Sequence, residues 1–67
     1  MDKERIAQNI VDGRWKRKIT QSQLAKNIHI SPSYMNDIEH GRRLPSLKVA
    51  IEIAKAINES LDNIFLT

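Results

Sequence analysis

The sequence predicts an all-α fold of five short helices around one core, and three observations carry that prediction. Helix-start signals recur along the chain, at Asp2, Thr20, Ser31, Ser46 and Ser60, each just ahead of an apolar-periodic stretch. Within those stretches apolar residues recur at spacings of three and four, and nowhere do they alternate in the period-two manner of a strand. The length, 67 residues, leaves room for a single domain spanning residues 1–67. A chain of this size buries only about 60% of its unfolded surface, so modest stability is expected.

The first helix is expected to run from an Asp2 cap to about Arg17. Ile6 and Ile10 form an inward i, i+4 pair, Val11 widens the stripe, and the next turn brings Gly13 and Arg14 to the same side. Gly13 inside a helix costs about 1 kcal/mol relative to alanine and leaves a gap where a large apolar residue would be natural. Trp15, the only tryptophan, is off the stripe and flanked by Arg14, Lys16 and Arg17. It either stacks on a base or partner or lays its ring over a neighbouring surface, and the gap at Gly13 favours packing. Ile19 then carries the chain into the core.

From Thr20 to Gly41 the chain reads as two short helices joined by a tight turn. Thr20 caps the first, and Gln23 three residues on completes a capping box, so this helix starts at Gln21. Leu24, Ala25 and Ile28 give it one inward face before Asn27, Ile28 and His29 let the chain turn. The second start signal is stronger: Ser31 caps, and Pro32 sits at the first helical position, where its missing N–H costs nothing. Met35 and Ile38 point inward, Ser33, Asn36, Asp37 and His40 come round to the opposite side, and Gly41 ends the helix.

In Arg42-Arg43-Leu44-Pro45-Ser46, Pro45 forces Leu44 out of helical conformation and Ser46 caps a fourth helix. Leu47, Ala50, Ala54 and Ile57 form its inward stripe, broadened by Ile51 and Ile53, while Lys48, Glu52 and Lys55 line the exposed side. Asn58 is suited to the left-handed conformation that ends it. Ser60 caps a last helix from Leu61 to about Leu66, with Leu61, Ile64 and Phe65 available for burial. No repeat or low-complexity tract is present.

Composition narrows the function classes. The absence of cysteine removes disulfides, thiol nucleophiles and thiolate metal sites together, and suits a reducing, intracellular compartment. No apolar run approaches the roughly 18 residues of a membrane span, and the first residues lack a signal-peptide core, so a soluble protein is expected. The balance of 11 basic to 8 acidic residues is only mildly basic. Its placement is more telling: from Gly13 to Asn36 there are five basic residues, Arg14, Lys16, Arg17, Lys18 and Lys26, and no acidic one, whereas Leu44 to Thr67 carries a net of −1. A positive field around the paired helices is what a surface meeting phosphate requires. His29 and His40 are 11 residues apart with no clustered carboxylate or cysteine, so neither a metal site nor acid/base chemistry is expected, and no cofactor.

These residues together resemble the lambda-repressor-like, Xre-type (Cro/C1) helix-turn-helix family over Ile6 to Phe65. The resemblance is carried by Ile19-Thr20-Gln21, Leu24-Ala25, Ile30-Ser31-x-x-Tyr34-x-x-x-Ile38-Glu39-x-Gly41, Pro45-Ser46-Leu47 and Ser60-Leu61-Asp62. It implies a cytoplasmic bacterial or phage-type transcriptional regulator, more specifically a repressor, that binds double-stranded operator DNA with its third helix in the major groove and has no enzymatic activity. The family's twofold dimers imply a homodimer. Ile64, Phe65 and Leu66 are the expected dimer surface, although so short an apolar tail can equally close the monomer core. A rival reading is an antitoxin or anti-repressor type module that meets a protein through the same polar helix.

The resemblance also sorts residues. Arg14 and Glu39 match a pair that in the family forms a salt bridge between the first helix and the end of the recognition helix. Gln21 matches a glutamine that contacts phosphate and braces that helix, and a helix N-terminus favours an anion there as well. Base reading falls to the outward row. Pro32 is placed for a thymine methyl group, Ser33 for a weak donor or acceptor contact, and Asn36 for adenine or a phosphate. Asp37 either accepts from a cytosine amino group or is a solvated or intramolecularly paired acid near a Lys. Ser31, Tyr34, Arg42, Arg43 and Lys48 join Gln21 as phosphate candidates, with half-burial the other option for Tyr34. Three departures stand out: His29 replaces the usual glycine of the turn, Gly13 a core leucine, and Glu59 an apolar residue before the last helix.

Overall fold

The computed structural model describes residues 2–66, and within them the chain forms five α-helices: α1 (Lys3–Lys16), α2 (Gln21–Asn27), α3 (Pro32–Glu39), α4 (Leu47–Ile57) and α5 (Leu61–Phe65). Every start is capped by a side chain. The Asp2 carboxylate accepts from the Glu4 and Arg5 amides, and the hydroxyls of Thr20, Ser31, Ser46 and Ser60 accept from Gln23, Tyr34, Val49 and Asn63. At Thr20 the capping box is reciprocal, with the Gln23 side chain accepting from the Thr20 amide at 2.8 Å.

The ends of α1 to α4 share one device. After each, a residue turns left-handed, Lys18 (φ 58°), His29 (φ 60°), Gly41 (φ 72°) and Asn58 (φ 56°). The following amide then bonds back to the helix: Ile19 to the Arg14 carbonyl (3.3 Å), Ile30 to Ala25 (3.0 Å), Arg42 to Asp37 (2.9 Å) and Glu59 to Ala54 (3.0 Å). These are Schellman turns, which satisfy carbonyls that each helix end would otherwise leave orphaned. The repeated cap keeps the connections short and fixes how each helix leaves the last.

The core consists of Ile6 and Ile10 of α1, Leu24, Ala25 and Ile28 around α2, Met35 and Ile38 of α3, Ile53, Ala54 and Ile57 of α4, and Ile64 of α5. Met35 and Ile38 seat α3 against α1 and α2, so α3 is held on one face and open on the other. Asn9 adds a polar tie between the first and last helices, its side-chain amide donating to the Ile64 carbonyl at 2.9 Å.

Four sequence expectations need correction. Gly13 leaves no gap, because a Cβ there would lie 2.6 Å from Ile57 Cδ1; the glycine admits the end of α4 against α1. Trp15 therefore has no vacancy to fill, and it stands 69% exposed. Leu47, expected in the inward stripe of α4, is 75% exposed, lining an open groove with Leu44, Leu61, Phe65 and Leu66 while Val49 and Ala50 of the same turn pack inward. Ile64, expected on a dimer surface, closes the monomer core at 1% exposure, while Phe65 is half-buried and Leu66 exposed.

Candidate nucleic-acid interface

The interface is anchored by a buried ion pair. Arg14 grips Glu39 with both arms of its guanidinium, Nε to Oε2 at 2.8 Å and Nη2 to Oε1 at 2.9 Å, and its Nη1 donates to the Ile19 carbonyl at 3.0 Å. The side chains are only 11% and 2% exposed. Gln21 adds a third donor, Nε2 to Glu39 Oε1 at 3.2 Å. The Arg14–Glu39 pair thus ties the end of α3 to α1, through Arg14 to the α1–α2 connection, and through Gln21 to the start of α2. Fork-to-carboxylate geometry sets orientation as well as distance, so it fixes the angle at which α3 leaves the bundle.

Outside this anchor lies the surface of α3. Pro32 and Ser33 are exposed, and Asn36 and Asp37 are half-exposed on the same outward row, one helical turn beyond. The Ser31 hydroxyl accepts from the Tyr34 amide at 3.0 Å and retains its own hydrogen as a donor. The Tyr34 hydroxyl accepts from the Ser46 amide at 3.0 Å, bracing α3 against the start of α4, and the Arg43 guanidinium lies 4.5 Å above its ring. Arg42 turns back onto α3, with Nε donating to Asp37 Oδ1 at 2.9 Å. Lys48 is exposed next to the α2–α3 turn, sharing a cavity with His29 and Ile30.

Gln21, Ser31 to Asp37, Arg42 and Arg43 therefore gather around α3, with Lys48 at one margin. The brace expected of Gln21 is present, through Glu39, whereas the specific partners of three side chains were not legible in the sequence. The contact between Gln21 and Glu39 and the brace from Tyr34 to Ser46 span 18 and 12 residues and carry no local signal. The pairing of Asp37 with Arg42 spans five residues, and Gly41 between them is its sequence signal. Trp15 lines a shallow cavity with Lys18, Thr20 and Gln21, beside the start of α2. No group of three or more His, Cys, Asp or Glu residues able to hold a metal occurs among the described residues, and no helix there is long and apolar enough to cross a membrane.

Residues 14–64 match the family described as Helix-turn-helix. The ImmF control region 10 kDa protein of Bacillus phage phi105 is 36% identical over 67 residues, covering 100% of this chain and 74% of that protein. The Immunity repressor protein of the same phage is 42% identical over 52 residues, covering 78% of this chain but only 36% of that longer protein. Among solved structures, the restriction-modification controller protein C.AhdI from Aeromonas hydrophila superposes with a TM-score of 0.87 at 25% identity, covering 96% of this chain and 97% of that one. The clp gene regulator ClgR from Corynebacterium glutamicum has the same fold, with a TM-score of 0.89 at 21% identity over 98% of this chain and 70% of its own. With the family match spanning most of the chain and the helix pair it describes standing intact in the structure, this protein belongs to the Xre (Cro/C1) type helix-turn-helix family of DNA-binding transcriptional regulators.

Proposed function

We propose that the chain is a repressor that binds operator DNA as a homodimer, each protomer laying α3 in the major groove. The observation that carries this reading is the exposed row Pro32, Ser33, Asn36 and Asp37 on a helix whose other face is locked by the Arg14–Glu39–Gln21 cluster. Rigid support under a row of small polar side chains is what base-edge contact needs. The groove-facing groups must arrive in register, and phosphate contacts on the flanks set that register.

Gln21, Ser31, Tyr34, Arg43 and Lys48 are the phosphate ligands of this reading. Gln21 keeps a second amide hydrogen beyond the one given to Glu39, and Ser31 and Tyr34 keep their hydroxyl hydrogens. Arg43 is held over the Tyr34 ring at the same margin. Ser33 and Asn36 supply donor and acceptor contacts to bases, and Pro32 an apolar one.

The dimer surface is the apolar groove lined by Leu44, Leu47, Leu61, Phe65 and Leu66, the last two being the members of the expected surface that remain accessible. A twofold pair places its half-sites about one helical turn, roughly 10 base pairs, apart. Salt titration of duplex binding tests the whole reading. The logarithm of affinity should fall with that of salt by about 0.9 for each phosphate held, and a flat response contradicts it.

A further inference from the structure

α3 carries two carboxylates, Asp37 and Glu39, and no basic residue. Duplex DNA presents one phosphate charge for every 1.7 Å or so of helix axis, so two bare carboxylates on an inserted helix would oppose docking. Both are answered by an arginine from outside the helix. Glu39 is buried and taken by Arg14 of α1. Asp37 stays on the outward row with its side chain 30% exposed, and Arg42 reaches it after the chain reverses at Gly41.

The second pairing is built by the fold. The left-handed turn at Gly41 returns the Arg42 amide to the Asp37 carbonyl at 2.9 Å, and the side chain then closes Nε onto Oδ1, also at 2.9 Å. Backbone and side chain of Arg42 are thus both fastened to the same residue. A pair this exposed contributes little to folding, because solvent screens it. Its placement on the outward row points to a use outside the fold: Arg42 engages Oδ1, leaving Oδ2 as the oxygen for a base edge, and cancels the charge that phosphate would repel.

We propose that Asp37 and Arg42 act as one preassembled reading unit, in which Asp37 accepts from a cytosine amino group and Arg42 is its positioning residue rather than a phosphate anchor. The inference rests on the DNA-binding reading above and assigns Arg42 a different role from the one its sequence position suggested.

The test is a double-variant cycle on the duplex that the wild type selects from random sequence, with a scrambled duplex as reference. Arg42→Gln should weaken binding to the selected duplex about tenfold when Asp37 is present and less than about twofold in the Asp37→Asn background, since coupled residues are non-additive. Each single variant should also flatten the base preference at the same position of the half-site. Equal losses in both backgrounds, with the salt slope shallower by about 0.9 in each, would make Arg42 an independent phosphate anchor and overturn the proposal. An unchanged base preference in Asp37→Asn overturns it as well. Wild-type protein that shows native helical circular dichroism yet enriches no duplex from the random pool at low salt removes the DNA-binding reading itself, and the proposal with it.

Discussion

At the scale of single residues, Glu39 is the position on which most depends. Its carboxylate receives three side-chain donors, two from Arg14 and one from Gln21, at a site only 2% exposed. Glu39→Ala leaves a guanidinium almost buried and unpaired, which costs about 3–5 kcal/mol. Against a total stability on the order of 3–10 kcal/mol for a chain this short, that is a large part of the whole. Urea denaturation should show a lower midpoint at an unchanged slope, the shift multiplied by the slope giving that amount, and a loss below about 1 kcal/mol would show that the pair is not a structural anchor. The partnership of Arg14 and Glu39 was legible through the family pattern, and so was Gln21 as a brace of α3, but that its amide would share the same carboxylate was not, because this depends on where α2 starts in space. Asp37 was legible only as a choice between a base contact and a paired acid. Its partner is Arg42, not a lysine, and the reversal at Gly41 explains why. The packing expected of Trp15 failed for a simple reason, since Ile57 already occupies the space beside Gly13.

At the scale of elements, helix starts were read correctly because a cap and its partner lie within three residues of each other. Ends are harder to read, since tertiary packing of the next segment can force almost any residue left-handed. Asn58 was expected in that conformation, His29 stood only as a replacement for the usual glycine of the turn, and Lys18 gave no signal, though all three adopt it. A left-handed non-glycine residue costs on the order of 1–2 kcal/mol, partly offset by the greater chain entropy that glycine loses on folding. Lys18→Gly and His29→Gly should therefore each stabilise the domain by about 0.5–1 kcal/mol. Calorimetry would register this as a rise in melting temperature of about 2–8 °C. A fall in either variant would mean that the replaced side chain contributes contacts outweighing its backbone strain.

At the scale of the whole molecule, the five-helix architecture followed from apolar spacing, but the boundary between core and surface did not follow completely. Periodicity places Leu47 and Ile64 on inward stripes or apolar ends without saying which of those positions the neighbouring helices cover. Packing decides that Leu47 is outside and Ile64 inside. The resulting groove of Leu44, Leu47, Leu61, Phe65 and Leu66 is the expected seat of a second copy. Leu47→Glu should convert a dimer to a monomer in sedimentation velocity and lower operator affinity about a hundredfold or more, as linked half-sites lose their mutual effective concentration. A dimer that survives this change would place its interface elsewhere. The most direct measurement of α3 as the reading element is selection of bound sites from random duplexes by the wild type and by a Ser33→Ala, Asn36→Ala variant. The wild type should enrich a twofold-symmetric site with half-sites about 10 base pairs apart, and the variant should retain low-salt DNA binding while losing the base preference. Enrichment of the same sequence by both proteins would contradict the assignment of base reading to α3.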